Sequence, residues 1–224
     1  MIYVVKSAPE HPDRQTAARL ARALQSRKNE YIKHPDSWAP VTFSPRRTGE
    51  MLGDAPVPFV RDMIETAMMA SRNQWSFIGV VNADIGFFPG TTKAINMALK
   101  KSSCAWAHRR DVSPGRAPVP GDDVAFHPGS DFFVFSVNWW LEEGVHIFPD
   151  MLLGREAWDA VMRNIMRRSG GVELPGIIWH ERHASFWERN RQAPGSRHNA
   201  RLAGEWFAKY GGGFYDWRDK PVYK

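Results

Sequence analysis

The sequence holds a single cysteine, Cys104, among 224 residues. That excludes a disulfide framework and any cysteine-based zinc cluster, and it fits a reducing, cytoplasmic setting. No run of about 18 uncharged apolar residues exists, so no segment reads as a membrane span. The opening apolar run, Ile2-Tyr3-Val4-Val5, is too short for the hydrophobic part of a signal peptide. Repeats and low-complexity tracts are missing, which excludes solenoid and array architectures. What remains is ordinary globular composition, 43% hydrophobic and 24% charged, with enough chain for one large domain. Disorder is excluded over most of the length.

Charge is unevenly spread. The net charge is +6, with arginine outnumbering lysine 21 to 9. Residues 1–50 and 150–224 are basic, whereas residues 51–149 carry eight Lys/Arg against ten Asp/Glu. An acidic centre between basic flanks suits a site for a metal and a phosphate-bearing ligand. Solvated surface charge accounts for the same pattern.

Hydrophobic periodicity predicts strands alternating with helices. Ile2–Val5, Val41-Thr42-Phe43, Phe77–Val81, Cys104–Ala107, Phe132–Phe135 and Ile177-Ile178-Trp179 read as strands. A helix capped by Asp13 is predicted from Ala17, Leu20, Ala21 and Leu24. Val60, Met63, Ile64, Ala67 and Met68 mark a core-facing helix, and a short one follows at Thr92–Lys100. Further helices carry Trp158, Val161, Met162, Ile165 and Met166, and then Leu202, Ala203, Trp206 and Tyr210. The last is expected to end at Gly211-Gly212-Gly213. Residues 112–129, with four prolines and three glycines, read as a loop. The alternation predicts an α/β sandwich with a mostly parallel central sheet. Residues 1–210 form a single domain in this reading and residues 211–224 a tail.

Five segments carry candidate chemistry. Asn82-Ala83-Asp84 follows an apolar strand, where open α/β sheets bind ligands, and Asp84 suits a hard divalent cation; the pair also suits a simple turn. Arg109-Arg110-Asp111 offers two forked cations for a phosphate, or an ion pair with Asp111. Asp131 enters immediately before an apolar strand and needs a partner, either a sugar hydroxyl or a backbone N–H. Glu156 and Asp159, three apart, read as neighbours on a helix face, able to act as base and hydroxyl clamp; pairing of Asp159 with Arg163 is the alternative. His180 and His183, in Trp179-His180-Glu181-Arg182-His183, offer imidazoles to a metal or a phosphate.

Taken in order, the segments N-A-D-I, R-R-D, G-S-D-F-F-V-F, L-L-G-R-E-A-W-D and W-H-E-R-H resemble a family of small GT-A-type glycosyltransferase-like proteins. That family shows an apolar strand ending in N-S/A-D-I, an R-R-x-D step, a G-x-D-x-F-V-F strand, a G-R-x-x-W-D helix start and a late H-x-x-H. The resemblance covers roughly residues 77–187. Asn82 stands where the usual D-x-D metal motif has its first acid. The resemblance implies a GT-A-like, Rossmann-like three-layer sandwich that binds a nucleotide-sugar donor. Asp84 would hold Mn2+ or Mg2+ on the diphosphate, with His180 or His183. Asn82, Arg109, Arg110, Arg155 and His183 would face the substrate. Asp131, Glu156 and Asp159 would serve the sugar and acceptor side, with Glu156 or Asp159 as base.

The implied activity is glycosyl transfer to an acceptor that the sequence does not identify. A modified base in DNA is one candidate, since basic ends and ten tryptophans suit a backbone-gripping, base-stacking surface. A non-catalytic nucleic-acid-binding module on a degenerate transferase fold is the rival reading. A metal-dependent nuclease is a third.

Overall fold

A computed structural model of the chain describes residues 2–6, 38–41, 47–54, 57–71, 73, 75–82, 85–88, 90–112, 125–181 and 192–213. The predicted Asp13-capped helix and the 214–224 tail lie outside these residues, as do Thr42, Phe43, Asp84 and His183. The described elements run β1 (Ile2–Lys6), β2 (Trp38–Val41), a 3-10 turn (Gly49–Leu52), α1 (Val60–Ser71), β3 (Phe77–Val81), β4 (Ile85–Phe87) and α2 (Thr91–Leu99). They continue with β5 (Cys104–Val112), β6 (Ala125–Ser136), a short helical stretch over residues 137–147, α3 (Trp158–Arg168), β7 (Val172–Glu173), β8 (Ile178–Glu181) and α4 (Pro194–Tyr210). No helix among the described residues is long and apolar enough to cross a membrane.

The class is mixed α/β. The sheet order is β2-β1-β3-β6-β5-β8-β4, with β7 also joined to β5. β1 pairs in parallel with β2 and β3, and β5 with β7 and β8. β6 is antiparallel to both β3 and β5, and β4 is antiparallel to β8. The sheet is thus mixed where periodicity predicts a mostly parallel one. Period-2 patterning reports which faces are buried, and both strand directions bury them alike.

The stretch read as a loop over residues 112–129 needs correction. β5 continues to Val112 and β6 starts at Ala125, so the two strands extend past their apolar cores as a paired arm. Proline and glycine marked the connection but not where pairing resumes.

The sheet is curled. β3 ends at Val81 and β4 begins at Ile85, yet β6, β5 and β8 lie between them in the hydrogen-bonded order. In a flat sheet those four steps would span about 19 Å. Four residues reach at most about 14 Å, so the sheet must bend for the chain to close. The bend also brings Trp38 of β2 to Phe87 of β4, with ring centroids 5.1 Å apart, and both stack or abut Phe132.

Both faces of the sheet are buried. Cys104, Trp106, Phe133, Phe135, Ile78 and Val80 point into one core, which α1, α3 and α4 cover with Met63, Ile64, Val161, Ile165 and Trp206. Ala105, Ala107, Phe132, Val134 and Val81 point into the other, inside the curl, with Ile95 of α2. The predicted stripes of α1 and α3 supply the first core as expected: Val60, Met63, Ile64, Ala67, Val161, Met162, Ile165 and Met166 are all fully buried.

Candidate functional site

The site begins where β6 departs from regular pairing. Ala107 faces Phe132, but the next residue, His108, faces Ser130. Asp131 is therefore an extra residue on β6, a bulge, and bulges re-aim side chains beside functional sites. Asp131 is 5% exposed, so its charge needs partners. It has two. Asn82 Nδ2 donates to Oδ1 at 2.5 Å, and Arg109 Nη1 donates to Oδ2 at 3.0 Å. Two other predicted polar segments thus supply protein partners for Asp131.

Asn82 reaches Asp131 because β3 and β6 are neighbours. Their ladder ends at Val81–Phe132, and the next contact is Asn82 N to Asp131 O at 3.3 Å. The Asn82 carbonyl also accepts from Ile85 N at 3.3 Å. Asn82 stands at the carboxyl end of β3, which runs parallel to β1 and β2, the end where such sheets bind ligands.

The chain of contacts goes on across β5 to β8. Arg109 Nε donates to Asp111 Oδ1 at 2.9 Å, and His180 Nδ1 lies 3.2 Å from the same oxygen. His180 is 4% exposed and sits opposite Asp111 in the β5–β8 register. Asn82, Asp131, Arg109, Asp111 and His180 therefore form one continuous polar line across the sheet.

Asp159 approaches from α3. Its Oδ2 accepts from Ser130 N at 3.2 Å. Burial and the neighbouring Asp131 charge push its carboxyl above the ordinary range, while Arg163 and the N–H groups of Ser130 and Ala160 pull it down. The expectation that Glu156 shares a helix face with Asp159 does not hold. α3 starts at Trp158, and Ala157 ahead of it takes a left-handed φ of 73°. Glu156 lies in the turn before the helix, half-buried.

The segment that delivers Asp159 is firmly anchored. Asn199 of α4 exchanges two 2.8 Å hydrogen bonds with the Leu152 backbone. Arg47 spans Asp62 and Asp150, at 2.6 and 2.5 Å. Arg155, expected toward substrate, forks onto Asp54 at 2.7 and 2.8 Å with its side chain 1% exposed. Arg110 goes to a different neighbour from Arg109: its Nη2 lies 2.8 Å from where a Cβ on Gly176 would stand.

Sequence reasoning missed Ser130 and His108, whose Oγ and Nδ1 are 3.3 Å apart, and Glu173, whose Oε1 lies 3.9 Å from His108 Nε2. Burial pushes the Glu173 carboxyl up and Arg163 pulls it down. No periodicity or motif marks His108 or Glu173, and the G-S-D-F-F-V-F segment contains Ser130 without assigning it a role. Only the bulge and the β5–β7 pairing bring them together.

Among the described residues, no three His, Cys, Asp or Glu side chains come together as a metal set. The described part of the expected Mn2+ or Mg2+ site is His180 alone, and its Nδ1 is already turned to Asp111. The described residues therefore do not by themselves compose that site. No protein-family model matches this chain, and no curated protein matches it.

Proposed function

We propose that the chain is a glycosyltransferase of GT-A-like fold, which moves a sugar from a nucleotide-sugar donor to an acceptor hydroxyl or amine. The observation that carries this reading is Asp131, set on a bulge and gripped by Asn82 and Arg109 beside Asp159. Three of the segments that carry the family resemblance supply these side chains, and the fourth supplies Asp159. Their meeting at the carboxyl end of β3, where open α/β sheets bind ligands, supports the reading.

Each residue has a role in this reading. Arg109 stabilises negative charge on the departing nucleoside diphosphate. Asp131 and Asn82 orient sugar hydroxyls. Asp159, whose carboxyl is pushed up by burial, is a stronger base than an ordinary aspartate. It takes the proton of the acceptor as the new bond to the anomeric carbon forms. The bond from that carbon to the phosphate oxygen breaks, and its electron pair leaves with the diphosphate. Mn2+ or Mg2+ on Asp84, with His180, belongs to the same proposal as charge neutralisation for the phosphates.

The test is a thermal-shift screen against nucleoside diphosphates and nucleotide sugars, with and without Mn2+. A ligand at about one hundred times its dissociation constant stabilises by about 2.7 kcal/mol, roughly 5–10 °C for a chain of this size. Asp84→Ala is expected to abolish donor hydrolysis. No shift with any nucleotide sugar would overturn the reading. DNA binding with a steep salt dependence in that case would favour the nucleic-acid module, for which the net charge of +6 and Asn82 in the first metal position speak. DNA binding together with donor binding would instead identify the acceptor as a base in DNA.

A further inference from the structure

Three polar groups are used neither by the proposed transfer nor by the anchoring of the fold: Ser130, which is buried, and His108 and Glu173, whose side chains are 13% and 31% exposed. They lie in a row. Glu173 on β7 faces His108 Nε2 at 3.9 Å, and His108 Nδ1 faces Ser130 Oγ at 3.3 Å. Ser130 in turn donates its backbone N–H to Asp159 Oδ2 at 3.2 Å. Ser130 is 0% exposed, so its hydroxyl is not a nucleophile that a substrate can reach.

We infer that His108, oriented by Glu173, is a positioning residue that holds the Ser130–Asp131 bulge against Asp159. This deepens the proposed site and rests on that reading only for its effect on transfer.

The argument is one of tautomers and register. A carboxylate beside Nε2 favours a proton there, which leaves Nδ1 as an acceptor. The Ser130 hydroxyl then donates to Nδ1. Ser130 is thereby fixed twice, by its side chain to β5 and by its amide to α3. The extra residue, Asp131, has no partner across the β5–β6 ladder, so on that side the bulge is held through Ser130. Charged groups around this row include Glu173 from β7, Asp159 and Arg163 from α3, and Asp131 from β6 itself. Arg163 pulls down both the Glu173 and the Asp159 carboxyls electrostatically.

Two isosteric variants separate positioning from mere packing. His108→Asn keeps a polar atom near the Nδ1 position and loses the contact to Glu173. His108→Gln keeps one near Nε2 and loses the contact to Ser130. Amide hydrogen exchange at Ser130 and the NMR titration of the Asp159 carboxyl are the readouts, and neither needs a ligand. His108→Gln is expected to speed Ser130 exchange about tenfold, the net worth of about one hydrogen bond. It is expected to move the Asp159 titration further up as the Ser130 N–H is lost. His108→Asn is expected to keep exchange within about twofold, for the same reason. Equal effects from both variants, or none from either, would overturn the inference. Should the histidine variants fail to fold, Ser130→Ala reads the same link from the other side. It must move Asp159 upward, and an unchanged titration would overturn the inference equally. Absence of donor turnover in the unmodified chain would sink the transferase reading and leave these measurements standing.

Discussion

Arg155 and Asp54, far apart in sequence, form a two-pronged ion pair in which both side chains are almost wholly buried, 1% and 6% exposed. The same Asp54 oxygen accepts the Gly195 N–H at the start of α4, at 2.9 Å. One buried carboxylate thus ties the 3-10 turn region, the approach to α3 and the first turn of α4 into one unit.

Breaking that pair leaves an uncompensated buried charge, which is strongly destabilising. Arg155→Ala is expected to cost about 3–5 kcal/mol in urea unfolding. Arg155→Met combined with Asp54→Leu is expected to cost much less, since no lone charge remains. A cost below about 1 kcal/mol for Arg155→Ala would show the pair to be solvated, as surface pairs are.

Ala157 is the only non-glycine residue with positive φ among the described residues, at 73°. A Cβ in that conformation costs about 1–2 kcal/mol, and the anchors around it hold the strain. Ala157→Gly removes the clash but loosens the unfolded chain. A net gain of about 0.5–1 kcal/mol is expected from the two terms. A loss of stability in this variant would mean that the left-handed turn ahead of α3 is wrong.

Asp159 carries a stability signature with a definite sign. An acid whose folded value is raised keeps its proton longer when folded than when unfolded. Stability therefore falls as pH rises past the ordinary value of 3.8 and stays lowered above the folded value. Asp159→Asn keeps an acceptor for Ser130 N–H and carries no charge. The variant is expected to gain on the unmodified chain as pH rises above the ordinary value of 3.8, in parallel urea titrations. The opposite trend would mean that the carboxylate is stabilised in the fold. In the proposed reaction the same variant loses about 10²–10⁴-fold in transfer rate, the usual worth of a general base.

Gly86 is required by its neighbour. A Cβ there would fall inside the indole of Trp179, which lies across from it in the β4–β8 register. Gly86→Ala is expected to cost about 1–3 kcal/mol, as overpacking does. Adding Trp179→Leu should recover part of that cost, and a fully additive pair would contradict the contact.

The residues of the site were legible to very different degrees. Asn82, Arg109, Asp131, Asp159 and His180 stand out in the sequence because each polar group interrupts or borders an apolar run. That is a local signal. Which of them meet is not local. Arg109 and Arg110 look equivalent in sequence, yet one grips Asp131 and the other lies on Gly176. Arg155 reads like the other arginines, yet its carboxylate partner is Asp54. Glu156 and Asp159 look paired until the left-handed Ala157 separates them.

Hydrophobic spacing alone determined the stripes of α1 and α3 and the apolar strands of the sheet, since burial of a face depends only on the local period. Strand order, the antiparallel insertion of β6, the curl that sets Phe87 against Trp38 and the bulge at Asp131 were decided by the tertiary structure. Register between strands depends on partners far along the chain, and a one-residue shift turns every side chain over. The polar line from Asn82 to His180 is laid out where the β5–β6 register shifts, between Ala107 and His108 and again between His108 and Arg110.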